Sequence, residues 1–346
     1  MNGTCNALYT YWLLSTTRNL RCRQNLPRPE YARRRTRPVD SDLFPLICFK
    51  DMKVLLDVDP GVDDAMMLLL ALGNQSIDVL GITTVCGNVG ILKATENALK
   101  ITAAAGSQVA VYRGASRPLS GKCMHATGIH GQDGLGDSHL PKPMNKPERT
   151  KAAQAISEMA ENQRLSIVAT GPLTNIAMFL DSYPDMAKRI ERIFLMGGVY
   201  CPKSTGNVTP FAEFNFYCDP EAADRVMASG IEIVAAGLDV TMDGRCAVDC
   251  SMLAKMRGIK TAKASTACKI ISNPVSRQSI FHLHDVFALF AMLHPEIFES
   301  RTCRVRVETA GKQRGRSIAS FGIGNIKVLS KVNAEMFQEK LLRGLS

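Results

Sequence analysis

The stretch KVLLDVDPGVDDAMMLLLAL, Lys53 to Leu72, decides how the chain folds. "KVLLDVD" (53–59) is an apolar run of strand length, and "DDAMMLLLALG" (63–73) reads as a helix stopped by Gly73. Between them Pro60 holds Asp59 extended, and Gly61 permits a tight turn into the helix. Both flanking runs are too apolar to face water, so the junction lies where a core begins. Yet that junction carries four aspartates, Asp57, Asp59, Asp63 and Asp64, within eight residues. Buried carboxylates without partners are costly, so this density of charge needs a physical cause.

Working outward, apolar strands and helix-period segments alternate. "IDVLGITTVCGN" reads as strand then loop, "ILKATENALKITAAAG" (91–106) as a helix, and "VAVYRG" as a short strand. "KAAQAISEMAENQ", "LTNIAMFLDSYP" and "DPEAADRVMASG" read as helices, the second closed by Pro184; "LSIVATGP", "IERIFLMGG" and "IEIVAAGLD" read as the strands between and after them. The last third is less regular, with a helix over "DVFALFAMLHP", strands near 303–309 and 325–330, and a final helix at 333–343. Continuous apolar strands between helices predict an α/β chain with a mostly parallel central sheet flanked by helices on both faces. No repeat or internal linker divides it, so residues 51–346 are expected to form one domain. In such sheets ligands bind outside the carboxyl ends of the strands, where Asp57 and Asp59, "CGN", "TGPLTN" and "MGG" all fall.

The helix dipole and free N–H groups of a first turn favour one acid, or two. Four converging carboxylates repel unless a hard cation sits among them. With no His or Cys ligand nearby, the choice lies between Ca²⁺ and Mg²⁺. An EF-hand loop beginning at Asp57 fails, because it needs Gly at Val62 and Glu at Leu68. A Mg²⁺-dependent phosphohydrolase with Asp57 as nucleophile stays open, although "DPGVDD" fits its turn poorly.

The formal charge of +10 is mostly local. Residues 1–40 hold eight arginines against Glu30 and Asp40, which accounts for six of the ten charges. The remainder asks for no nucleic acid. This Arg-rich segment, residues 1–50, reads as a disordered extension, with a mitochondrial transit peptide as the other reading and a cytoplasmic protein as the default. No apolar run reaches the roughly 20 residues that span a bilayer. Eleven cysteines without a CxxC pair argue against a disulfide framework and against zinc.

"DVDPGVDDA" resembles the N-terminal signature of the inosine-uridine-preferring nucleoside hydrolases. "TTVCGNV", "GIHGQDGLGD", "ATGPLTNIA", "LMGG", "GNVTPFAEFNFYCDPEAA" and "HDVFAL" are similar to further blocks of that family, in order, from about Lys53 to the C-terminus. The resemblance implies a Rossmann-like domain that hydrolyses the N-glycosidic bond of purine or pyrimidine ribonucleosides, and a homodimer or homotetramer. It implies Ca²⁺ held by Asp59, Asp64 and Asp285 and by the carbonyl of Thr170. Asp59 would act as general base and His284 as general acid. Asp63, Asn88, Asn207, Glu213 and Asn215 would hold the ribose, with Met196 beside it and His130 facing the base. A catalytically silent nucleoside-binding relative is the alternative outside enzymology. His125, His139, His282 and His294 are expected to be structural or exposed, and Cys86 and Cys218 to pack. The pattern also departs from the family: "TACKIISNPVSRQSIFHLHD" lacks the tyrosines that some members carry ahead of the "HD" pair. The single tryptophan, Trp12, lies far from any site motif, so a base clamp made of indoles has no counterpart.

Overall fold

Val54, Leu56 and Val58 point to one face of the first strand and Leu55 to the other, and all four are buried in apolar clusters. That two-sided burial makes β1 (Met52–Val58) a central strand. A computed structural model describes residues 52–346; the readings made for the Arg-rich segment before them lie outside the described residues.

The strands are β1, β2 (Ile77–Thr84), β3 (Val111–Arg113), β4 (Leu165–Ala169), β5 (Ile190–Met196), β6 (Glu232–Ala236), β7 (Val248–Asp249), β8 (Ile280–Phe281), β9 (Phe298–Val307), β10 (Ser317–Phe321) and β11 (Ile326–Val332). The helices used below are α1 (Val62–Leu72), α2 (Ile91–Ala104), α3 (Thr127–His130), α4 (Thr174–Ser182), α5 (Pro184–Ala187), α6 (Phe214–Cys218), α7 (Cys250–Gly258), α8 (Ala262–Gln278) and α9 (His284–Leu293). Nine strands form one sheet in the order β10-β9-β11-β6-β5-β4-β1-β2-β3. From β11 to β3 every neighbouring pair is parallel, and the β9 pairs are antiparallel. The mostly parallel sheet expected from the sequence is thus observed, with an antiparallel edge added.

After β1 the chain builds outward through β2 and β3, then returns to lay β4 on the other side of β1. This reversal opens a crevice beyond the carboxyl ends of β1 and β4. Asp59 follows the first of these strands and Thr170 the second. α1 is buried from Val62 to Ala71 and packs against α8 and α9, so the first turn that carries Asp63 and Asp64 is fixed from both sides.

α4 ends at Ser182, just ahead of Pro184 as the sequence reading has it, and Pro184 then starts α5 as that helix's first residue, where its missing N–H costs nothing. One stretch differs from that reading. The irregular stretch 250–278 is helical, as α7 and α8, despite Pro274 inside α8.

Candidate active site

Asp59 is wholly buried at the end of β1. Its Oδ2 accepts the N–H of Asn88 at 2.6 Å, while its Oδ1 has no partner among the described residues. This closeness requires Gly87, since a Cβ there would stand 1.9 Å from Asp59 Oδ2. Asp64 caps its own helix by accepting the N–H of Gly61 at 2.9 Å, and it also accepts from Asn88 Nδ2 at 3.2 Å and Thr170 Oγ1 at 2.7 Å. Asp63 Oδ1 is buried without a hydrogen bond. Asp285, in the first turn of α9, reaches the same point from the other end of the sequence. Carboxylate oxygens of Asp63, Asp64 and Asp285 lie within 4.8 Å of one another.

Burial, reinforced by Asp64, holds Asp59 well above the usual carboxylate range. The same two causes push Asp63 up to about 8, and burial with Asp63 and Asp64 raises Asp285. No lysine or arginine lines the cavity beside them. Two orphaned buried oxygens, an all-oxygen donor set and repulsion without a neutralising side chain fit a hard divalent cation. The cluster is therefore able to hold a metal ion. Asp63 belongs to the tight trio, and Asp59 stands beside it.

One cavity is lined by Asp63, Asn88, His130, Thr170, Met196, Asn207, Glu213, Asn215, His284 and Asp285. Ten of the twelve site residues singled out in the sequence thus share it; Asp59 and Asp64 do not line it but are hydrogen-bonded to Asn88, and Asp64 also to Thr170, which do. The carbonyl of Thr170 accepts Asn215 Nδ2 at 2.8 Å, and the same amide reaches the Met196 carbonyl at 3.1 Å. Glu213 caps α6 by accepting from Asn215 N and Phe216 N, and it also takes the N–H of Gly198. Burial raises it to about 7 against these bonds. Asn207 Oδ1 is buried and unpartnered. Asp57 points elsewhere: its Oδ1 accepts from Thr83 Oγ1 at 2.6 Å and Asn175 Nδ2 at 2.7 Å, and it does not line the cavity.

Imidazoles make up the other wall. His130 Nδ1 accepts the N–H of Val62 at 3.1 Å, and burial lowers the ring to about 4. His284 Nδ1 lies 2.8 Å from Thr241 Oγ1; burial, then His282 and His130, hold its pKa well below the ordinary value. His282 stacks on His284 with centroids 5.5 Å apart. His282 and His125, expected to be structural or exposed, both border the cavity. His125 is drawn there because its Nδ1 meets the Gly87 carbonyl at 2.9 Å. Sequence reasoning also passed over Gln278 and Phe281, which carry no motif of their own. Cys86 departs from expectation as well. Two loops converge beside the site, bringing the Cα atoms of Cys86 and Cys123 within 6.6 Å and pairing their sulfurs as a disulfide. Cys218 is buried and unpaired, as expected.

Residues 54–339 match the family described as inosine-uridine preferring nucleoside hydrolase. Uridine nucleosidase 1 of Arabidopsis thaliana is 36% identical over 282 residues, covering 79% of this chain and 83% of the plant protein. The non-specific ribonucleoside hydrolase RihC of Klebsiella pneumoniae is 38% identical over 265 residues, covering 75% and 85%. Among solved structures, the plant nucleoside hydrolase PpNRh1 superposes with a TM-score of 0.80 at 30% identity, over 85% of this chain and 98% of that one.

Proposed function

The chain belongs to the inosine-uridine preferring nucleoside hydrolase family, and from that premise we propose that it cleaves purine and pyrimidine ribonucleosides to free base and ribose in a Ca²⁺-dependent reaction. The observation that carries the reading is the meeting of Asp63 and Asp64 with Asp285, from far along the chain, with Asp59 beside them, at a cavity bordered by imidazoles.

Asp59, Asp64, Asp285 and the Thr170 carbonyl would hold the ion, with Asp63 at its edge. When bound, calcium acidifies water and anchors vicinal hydroxyl groups. Asp59 takes the proton of the attacking water at Oδ1, because Oδ2 is already held by the Asn88 N–H. Asp63 accepts a ribose hydroxyl at Oδ1, and Asn207 offers the sugar its unpartnered oxygen. Asn88 and Asn215 bind beside them, and Met196 packs against the ring. The surrounding carboxylates, Glu213 included, stabilise the positive charge that develops on the sugar. As the bond breaks, negative charge grows on the base, and His284 delivers a proton from Nε2 while Thr241 holds Nδ1. Because burial holds that ring well below its ordinary pKa, His284 must first take up a proton from solvent, and it passes that same proton on to the departing base and returns to the neutral ring. The proposal extends to the homodimer or homotetramer implied by the resemblance, and to a cytoplasmic location, the default reading of the sequence. For the described residues, no helix is long and apolar enough to cross a membrane.

The test is release of base and reducing sugar from inosine, uridine, guanosine, adenosine and cytidine, before and after calcium chelation. Asp59→Ala should abolish turnover on every nucleoside, by at least about 10²-fold, the lower end for general acid–base catalysis. His284→Ala should hurt most where the base leaves poorly. Equal activity of the Asp59 variant and the wild type would reject the mechanism, and phosphate release from nucleotides without sugar release would reject the reaction.

A further inference from the structure

Gln278 is the last residue of α8 and borders the cavity. Its Oε1 is shut off from solvent and has no hydrogen-bond partner among the described residues. The side chain sits on a pinned scaffold. Arg277 pairs with Asp137 at 2.9 Å, and Asn273 Nδ2 donates to the Gly136 carbonyl at 3.0 Å. Gly136 N in turn donates to the carbonyl of His130 at 2.8 Å. The end of α8 is thereby fastened to the loop that follows His130. Ser279 then turns the chain sharply, with φ at +67°, a conformation that L side chains rarely adopt.

Gln278 shares its wall with Phe281, His282 and His284 along the chain, and with His130, whose ring meets Phe281 edge-on at 6.2 Å. These are flat rings without a carboxylate, suited to a flat base, whereas the acids and asparagines claim the sugar. A buried acceptor left unpaired costs free energy, and a ligand that supplies a donor recovers it.

We propose that Gln278 determines base specificity, its Oε1 accepting the ring N–H of an oxo-base: N3–H of uracil, or N1–H of a 6-oxopurine. This rests on the nucleoside-hydrolase reading and narrows it to bases that carry such a donor. It also gives the site a base contact that does not depend on the tyrosines absent from this stretch.

The experiment compares kcat/KM for uridine with 3-methyluridine, and for inosine with 1-methylinosine, in the wild type, Gln278→Met and Gln278→Ala. The substrate 4-nitrophenyl riboside, whose leaving group has no ring N–H, reports on the sugar site alone. We expect N-methylation to cost the wild type on the order of 10- to 100-fold, as removal of a donor from a buried acceptor should. Both variants should lose most of that penalty while cleaving 4-nitrophenyl riboside within about threefold of the wild type. The inference is overturned by a penalty unchanged in both variants, by one that persists with Met but is relieved by Ala (a steric effect), or by loss of 4-nitrophenyl riboside cleavage along with the others. A wild type that cleaves no riboside defeats the functional reading itself, and this inference with it.

Discussion

Glu213 is buried, yet three backbone N–H groups point at its carboxylate. Desolvation wins over those bonds, and the group is raised from 4.5 to about 7. The sign follows from proton counting. Between about 4.5 and 7 the folded state holds a proton that the unfolded state has lost, so stability falls as pH rises through that window. The loss is absent below the unfolded value and complete above the folded one, where it amounts to about 3 kcal/mol. We therefore expect Glu213→Gln to gain stability relative to the wild type from pH 4.5 to pH 7.5. Melting curves at pH 5, 6 and 7.5 check this, and parallel pH dependence of the two proteins would show that Glu213 is ionised throughout. At this scale the site was legible where residues stand together in sequence, as in "DVDPGVDD" and "HD". Gln278, Phe281, His125 and His282 were not legible, because their place at the cavity comes from loops converging in space and leaves no pattern in the chain.

Asn175 in α4 shows how elements lock the sheet edge that carries the site. Its Nδ2 donates to Asp57 Oδ1 at 2.7 Å and to the Thr84 carbonyl at 3.0 Å, and its Oδ1 accepts the N–H of Ala115 at 2.8 Å. One amide thus joins β1, the end of β2, and the loop that leads toward His125. Asp57 rises to about 6 through burial even with this donor in place. Asn175→Ala would remove the donor and leave the carboxylate served by Thr83 alone. The expected loss is about 2–4 kcal/mol, the range for uncovering a buried polar group near a charge. Denaturant unfolding measures it, and a loss below about 0.5 kcal/mol would mean that the network relaxes or that water replaces the amide. β1, α1 and the central strands were legible because their apolar runs are long and two-sided. α7 and α8 were not: "CSMLAKMRG" and "AKASTACKIISNPVSRQ" are rich in small and polar residues, and Pro274 breaks the helical reading. Yet Pro274 sits inside α8, and the buried Ile270, Ile271 and Val275 hold that helix in the core. Tertiary packing overrides local preference there.

The acid cluster gathers residues from the two ends of the described chain, with Asp59, Asp63 and Asp64 after β1 and Asp285 at the start of α9. A ligand that binds only when these come together stabilises the whole fold, by RT ln(1 + [L]/Kd). At a free ion concentration 100-fold above Kd the gain is about 2.7 kcal/mol, which corresponds to roughly 4 °C in melting temperature for a chain of this size. We expect chelated protein to melt lower and Ca²⁺ to restore the loss. The raised pKa values of Asp59, Asp63 and Asp285 sharpen the expectation. Without a cation these groups resist ionising together, so ion binding releases protons, and the thermal shift should grow as pH rises toward 8. Asp64→Asn removes a carboxylate at the centre of the cluster and should flatten the response to Ca²⁺, in a readout independent of turnover. Mg²⁺ in a parallel titration separates the two hard cations, because Mg²⁺ demands near-ideal octahedral geometry and dehydrates reluctantly. A melting temperature indifferent to both ions at pH 8 would mean that the acids are held by protons alone, and the calcium reading of the site would fall with it.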